Sequence, residues 1–185
     1  MKGIVFTEFT AFVEGRAGLD TLDRIIDAAV GESGGAYTAL GTYNHREMLG
    51  LVDALATETG QTPEALMTAF GEHLFHRFAE MNPAFVAGLD HPFPFLEQVE
   101  TYIHMEVRKL YPDAELPTIA TERPDAATLC VTYRSRRPFA ALAHGLVEGC
   151  LDHFGAPVTL RAREDLPGEG PGTAARFTLV AEGGG

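Results

Sequence analysis

The feature that most constrains the fold is a change of hydrophobic pattern about two thirds of the way along the chain. Up to about residue 110, apolar residues recur three and four positions apart, a spacing typical of amphipathic α-helices. From Leu116 onward, short runs rich in β-branched residues are separated by turn residues, which favours strands. We therefore predict an α+β fold, with a helical N-terminal part packed on a small antiparallel sheet that has one inserted helix.

Local start and stop signals divide the chain further. Asn44 with Glu47 three positions on is a capping-box pattern, and Thr62-Pro63 is a helix start. A turn is predicted at Pro124-Asp125, and a loose tail at 183–185. The predicted helices cover about 5–15, 19–30, 45–60, 63–82, 94–110 and 138–154, and the predicted strands cover 116–121, 128–135, 157–163 and 175–181.

Length and charge limit the class of function. A chain of 185 residues with 45% hydrophobic residues suits a single domain, 1–185, with a sizeable core. A net charge of −12 argues against nucleic acid and membrane surfaces as partners, since both need basic patches. No run of about 20 apolar residues and no signal-peptide pattern is present, so we expect a cytoplasmic protein. Of the two cysteines, Cys130 is predicted to lie in the core and Cys150 to be partly exposed.

One segment combines a phenol, a hydroxyl and a guanidinium in alternate positions. Tyr133, Ser135 and Arg137 would project from one face of the predicted strand. Three such donors suit a pair of carboxylates or a phosphate. Spacing alone favours a simpler alternative, an exposed strand end with solvated arginines.

Among the seven histidines, His104 has the most informative position. It lies about 60° from Val107 on the helical wheel, at the edge of an apolar stripe, and is predicted to be half-buried. A half-buried core histidine is the simplest interpretation, although a neutral imidazole facing an apolar pocket also suits haem iron. His73 and His76, three apart on a helix, fit two surface histidines better than a pair of metal ligands. The stripe consists of Leu96, Val99, Ile103, Val107 and Leu110.

Taken together, these motifs resemble the haem-nitric oxide/oxygen binding (H-NOX) domains, the bacterial relatives of the haem domain of soluble guanylate cyclase. The resemblance covers essentially the whole length, and a histidine about 30 residues before a Tyr-x-Ser-x-Arg motif is its most specific part. The matching segments are Met1–Phe6, Phe70-Gly71 with Leu74-Phe75, His104 with Val107–Pro112, Tyr133-x-Ser135-x-Arg137 and Gly145–Gly149.

The resemblance implies a cofactor and roles for several residues. The cofactor is haem b (iron protoporphyrin IX), buried between the helical part and the sheet. His104 is then the proximal ligand of the iron, and Tyr133, Ser135 and Arg137 clamp the haem propionates. Pro117 matches a proline that presses on the haem face. The loop 166–172 lacks the cysteines of the zinc site found in some relatives, so no structural zinc is expected.

The distal side of the haem decides which gas is bound. A distal hydrogen-bond donor stabilises bound O₂, whereas nitric oxide needs no such help. Counting from the motif without a gap places the distal tyrosine position of oxygen-binding relatives at Leu142, and a second polar position at Leu74. His144 would point away from the haem, and His73 would enter the pocket only if the alignment were shifted by one residue. The other predicted wall residues, Ile4, Phe78 and Leu146, also offer no donor.

The resemblance therefore implies a nitric oxide sensor that excludes O₂, with carbon monoxide as a further candidate ligand. Release of His104 would shift its helix, and a histidine kinase or a cyclic-di-GMP enzyme would respond in trans. No nucleophile–base pair or phosphate loop is found, so we expect no enzymatic activity. Two other functions stay open: an O₂-binding or redox haem protein, and a haem-free domain that binds another small ligand.

Overall fold

Up to residue 110 the regular elements are helices, and a sheet dominates the last third of the chain. The structure is a computed structural model that describes residues 1–29 and 31–182. The α+β architecture predicted from the pattern is confirmed. The α-helices are α1 Gly3–Ala17, α2 Leu19–Ala28, α3 His45–Thr59, α4 Pro63–Met81, α5 Pro92–Gln98, α6 His104–Leu110 and α7 Ala140–Phe154. The strands are β1 Thr118–Asp125, β2 Thr128–Arg134, β3 Val158–Asp165 and β4 Ala174–Ala181.

All strand pairings in the sheet are antiparallel, and the strand order is β1-β2-β4-β3. Helix α7 connects β2 to β3, so it is the inserted helix that the sequence predicts. Tyr133 on β2 lies opposite Ile119 on β1 and opposite Ala175 on β4. The register therefore places Tyr133 on an inner strand, between β1 and β4, one residue before that strand ends.

The predicted helix caps are present, but the capping box is not. Asn44 Oδ1 accepts a hydrogen bond from the Arg46 amide at 3.0 Å, and Thr62 Oγ1 accepts one from the Ala65 amide at 3.2 Å. Glu47 does not complete the box: its buried carboxylate accepts from the hydroxyls of Ser33 and Tyr37 instead. A buried carboxylate needs hydrogen-bond donors, and the loop 31–37 supplies two hydroxyls. Glu47 therefore bonds to these hydroxyls and not to the backbone amide of Asn44.

Several other predictions differ from the structure. The turn of the first hairpin lies at residues 126–127, because Asp125 pairs with Thr128 and its carboxylate accepts from the Ala127 amide at 2.8 Å. Cys130 is buried as predicted, whereas Cys150 is fully buried rather than partly exposed. Leu110 is 68% exposed and is not part of the buried stripe. Residues 30 and 183–185, including the predicted tail, lie outside the described residues.

Helices α4 and α7 are in close contact because each has glycine where it meets the other. A Cβ on Gly71 would come within 2.4 Å of the Leu142 carbonyl oxygen, and one on Gly149 within 2.8 Å of the Glu72 carbonyl oxygen. Only glycine permits such an approach of two helix backbones. The two helices are thereby fixed as one layer of the core. None of the helices in the described part of the chain is long and apolar enough to cross a membrane.

Candidate functional site

His104 follows a π-helical turn that interrupts an otherwise continuous helix. Residues Val99–Ile103 join α5 to α6, and the backbone N–H of His104 donates to the carbonyl of Val99, five residues earlier. The extra residue in such a turn resets the direction of the side chains that follow, and π turns occur frequently at functional sites. The His104 side chain is 12% exposed, so it is buried more deeply than the half-buried position predicted from the sequence.

A carboxylate holds one nitrogen of the His104 ring. Glu100 Oε2 lies 3.0 Å from His104 Nδ1 and also accepts from the backbone amide of Ile119 at 3.1 Å. Glu100 Oε1 accepts from Arg108 at 3.3 Å. Because a carboxylate only accepts, Nδ1 carries the proton, and Nε2 keeps the lone pair that a metal ion requires.

Burial and hydrogen bonding act on the charges of this pair. Burial lowers the pKa of His104, although Glu100 acts in the opposite direction. The lowered pKa favours a neutral ring. Burial raises the pKa of Glu100, but the hydrogen bonds from Ile119, His104 and Arg108 outweigh it and hold that pKa below its usual value. At neutral pH, both shifts favour a neutral imidazole beside an ionised carboxylate.

Tyr133, Ser135 and Arg137 come together, although by a turn rather than by a strand. Strand β2 ends at Arg134, because the Ser135 hydroxyl accepts from the Arg137 amide at 3.0 Å and turns the chain. The Tyr133 hydroxyl makes a long contact, 3.5 Å, to the Arg137 carbonyl oxygen. Burial raises the pKa of Tyr133, so its hydroxyl stays a donor. The predicted alternation survives, since Arg134 and Arg136 are exposed whereas the trio is buried or half-buried.

Arginines dominate the surroundings of this turn. The Arg137 guanidinium forms an ion pair with Glu115 and is 16% exposed. A cavity of about 560 Å³ opens beside the pair. The chain has a net charge of −12, so a cavity lined by more arginines than carboxylates is a local exception. Its positive charge suits an anionic group. Its charged lining consists of Arg108, Arg134, Arg136, Arg137, Glu115 and Glu169.

The predicted distal wall lies on three helices. Leu74 and Phe78 are one turn apart on α4, and Leu142 and Leu146 are one turn apart on α7, so each pair shares a helix face. Ile4 lies on α1. Leu74 is fully buried and the other four are partly buried. None of these side chains has a polar atom.

The neighbouring histidines are held elsewhere. His144 Nε2 lies 3.2 Å from Glu148, and its ring stacks on Phe177 of β4. His73 packs against Phe12 of α1, with its Nε2 3.9 Å from Glu8. Neither contact involves a predicted wall residue. In residues 1–29 and 31–182, no group of three His, Cys, Asp or Glu side chains could hold a metal ion.

Sequence reasoning missed two carboxylates of the site. Glu100 stands four residues before His104, a spacing at which helical side chains meet, so this signal was present. Glu115 gives no such signal, because its contact with Arg137 spans 22 residues and depends on the fold. Pro117 is partly buried and lies immediately before β1, two residues from the amide that Glu100 binds. His104, Pro117 and Tyr133 are thus tied to the same end of the sheet.

Comparisons with known proteins agree on one family. A model of the Haem-NO-binding family matches residues 2–162. The unliganded Fe(II) H-NOX protein from K. algicida is 36% identical, with a TM-score of 0.90 over 99% of this chain and 97% of that chain. The H-NOX from Shewanella woodyi, solved in the Fe(II)CO state with IWP-051, is 33% identical, with a TM-score of 0.80 over 100% of this chain and 97% of that one.

A more distant structure supports the fold alone. The H-NOX protein from S. oneidensis in the Fe(II)NO state is 22% identical, with a TM-score of 0.88 over 99% of this chain and 100% of that chain. A search of curated proteins found no match.

Proposed function

The chain belongs to the H-NOX family of haem-based gas sensors, and on this premise we propose that it is a ferrous-haem nitric oxide sensor that excludes O₂. We propose haem b as the cofactor, held by the single domain 1–185. Bound ferrous iron would supply the gas-binding centre. His104 Nε2 is the proposed ligand, because Glu100 occupies the other ring nitrogen.

The donors near Arg137 fit the carboxylates of haem. Tyr133, Ser135 and Arg137 converge beside a positively charged cavity, and two propionates need such a set of donors. Arg137 already forms an ion pair with a carboxylate, that of Glu115, so its guanidinium is placed where it can donate to this type of partner. Pro117, immediately before β1, would press on the face of the haem ring.

The observation that carries the choice of gas is the apolar distal wall. Stable O₂ binding calls for a hydrogen-bond donor close to the iron. Leu142 and Leu74, at the two positions where oxygen-binding relatives have polar residues, have none. His144 and His73, the two nearest candidates along the chain, are engaged with Glu148, Phe177 and the α1 helix. Carbon monoxide, which also needs no donor, is a second ligand of the proposed site.

The output is proposed to act in trans. His104 sits at the first position of α6, directly after the π turn, so its release would free a helix that is already irregular. The proposed partner is a histidine kinase or a cyclic-di-GMP enzyme. The net charge of −12 suits a basic surface on that partner. We propose no enzymatic activity for the chain itself.

Absorption spectra of the reduced protein under argon, in air and with nitric oxide test the proposal. We expect a Soret band that air leaves unchanged and nitric oxide shifts. A stable new spectrum in air would instead support an O₂-binding protein. No Soret band after expression with sufficient haem would support a haem-free domain. Leu142→Tyr is the informative variant, since it places a hydroxyl at the distal position, and we expect it to gain a response to air.

The role of His104 is tested by removing its ring. In His104→Gly, we expect the spectrum of a histidine-bound iron to be lost and to return when imidazole is added. His153→Gly is the matched control, because His153 is exposed near the end of α7 and should leave the spectrum unchanged. A His104→Gly protein with an unaltered spectrum would contradict the assignment.

A further inference from the structure

We propose that Glu100 is a positioning residue that fixes the tautomer of His104 and strengthens its Nε2 as a donor to iron. This inference rests on the proposed role of His104 as the proximal ligand. It concerns the strength of the bond between His104 and the iron. In a sensor that works by releasing this histidine, that strength sets the response.

The geometry of the carboxylate carries the inference. One oxygen, Oε2, lies 3.0 Å from His104 Nδ1 and 3.1 Å from the backbone nitrogen of Ile119. The other oxygen lies 3.3 Å from Arg108. Glu100 is therefore held from three sides, and its Oε2 is aimed at the ring by the sheet as well as by its own helix.

The ring has little freedom to choose another arrangement. His104 is 12% exposed, and the π turn fixes its backbone through the hydrogen bond to Val99. With Nδ1 donating to Glu100, the proton is placed on the nitrogen that would not bind iron. A carboxylate that accepts from a ligating histidine makes the opposite nitrogen more basic, and it orients the ring.

The same carboxylate connects the histidine to the sheet. Ile119 is the ladder partner of Tyr133, a member of the proposed propionate clamp. A displacement of His104 must break its bond to Glu100, break the bond between Glu100 and Ile119, or pull on the Ile119 amide. Glu100 thus links the proposed proximal ligand to β1, the strand that pairs with the one carrying Tyr133.

The first test needs no cofactor. Long-range ¹H–¹⁵N NMR of the haem-free protein reports which ring nitrogen of His104 carries the proton. We expect the proton on Nδ1 in the wild type and in Glu100→Gln, whose amide oxygen still accepts. We expect it on Nε2 in Glu100→Ala. Glu106→Gln is the matched control, since Glu106 lies on the same helix but pairs with Lys109.

The second test uses the haem-loaded protein. We expect the iron–histidine stretching frequency to fall from wild type to Glu100→Gln, where the acceptor is neutral, and further in Glu100→Ala. The iron reduction potential should rise in Glu100→Gln, because a less basic histidine stabilises ferric iron less. Glu106→Gln should match the wild type in both measurements. Hydrogen exchange at the amides of β1 other than Ile119 reports whether the strand is intact, since the Ile119 amide loses its own acceptor in Glu100→Ala.

The outcomes separate the inference from the proposed function. A wild-type iron–histidine band that is unchanged in both Glu100 variants, with the proton position also unchanged, overturns the inference and leaves the proposed function standing. Absence of the band in the wild type overturns the proposed function and the effect on iron together. An Nε2–H tautomer in the wild type overturns the fixing of the tautomer whatever the spectra show.

Discussion

Gly145 lies directly against the backbone of Thr68, and a Cβ at Gly145 would come within 1.9 Å of the Thr68 carbonyl oxygen. Of the glycines where α4 meets α7, Gly145 has the least room for a side chain. These two helices carry most of the proposed distal wall. The separation of Leu74 and Phe78 from Leu142 and Leu146 is therefore set by glycines, and not by the wall residues themselves.

A methyl group at this contact should separate the helices. We expect Gly145→Ala to lower the free energy of unfolding by about 1–3 kcal/mol, the usual cost of overpacking a core. Urea denaturation of the wild type and the variant measures the change. Gly15→Ala is the control, since nothing lies within 4 Å of a Cβ at that helical position, and alanine should be neutral or stabilising there. A Gly145→Ala protein as stable as the wild type would contradict the close contact.

The proposed clamp predicts that haem affinity depends on Arg137 and not on its exposed neighbour Arg136. Replacing Arg137 by Gln removes a charged hydrogen bond of about 1.5–3 kcal/mol, or roughly 10- to 100-fold in affinity. Transfer of haem to an acceptor protein measures it, with Tyr133→Phe expected to act in the same direction. Arg136→Gln should have little effect because Arg136 is exposed. Equal losses in the Arg136 and Arg137 variants would point to a general effect of charge.

Stability should fall as the solution becomes acidic, in part because of His73. Burial lowers the pKa of His73 below its ordinary value of 6.5, while Glu8 opposes the shift. The unfolded chain therefore binds a proton at a higher pH than the folded chain does, and the free energy of unfolding decreases as the pH drops below about 6.5. Urea denaturation between pH 5 and 8 measures the slope. His73→Gln should flatten it, and a slope identical to that of the wild type would exclude this contribution.

Neither thiol should react while the protein is folded. Cys130 and Cys150 are both buried, and burial raises the pKa of the Cys150 thiol, which removes the reactive thiolate. We expect an aromatic disulfide reagent to detect no thiol in the native protein and both thiols in denaturant. Rapid labelling of Cys150 in the native state would show that α7 opens from the core.

Local signals predicted the helix boundaries well, because caps act over a few residues. Asn44 and Thr62 accept the expected backbone bonds, and Gly60 ends α3 in the left-handed conformation that favours glycine. The burial of Cys150 could not be read in this way. A period of 3.6 shows which residues share a helix face, but not how much of the helix the sheet will cover.

The candidate site shows the same division. The alternation of Tyr133, Ser135 and Arg137 was visible in the sequence, although the strand that suggested it ends at Arg134. Outside the site, Glu47 has the spacing of a capping box, but its carboxylate accepts from the Ser33 and Tyr37 hydroxyls instead. Contacts between residues far apart in the chain depend on the completed fold, so the spacing of residues along the sequence does not predict them.

The π turn before His104 absorbs one residue more than a regular helix would hold over the same stretch. Each residue of an α-helix advances the side chains by about 100°, so an extra residue in a regular helix would rotate His104 and everything after it relative to α5. The wider turn removes most of that rotation. In a related chain that is one residue shorter within Val99–Ile103, a regular helix would therefore hold the histidine in nearly the same orientation. When related chains are compared here, a one-residue gap thus marks the loss of the π turn and not a change in which side chain faces the site.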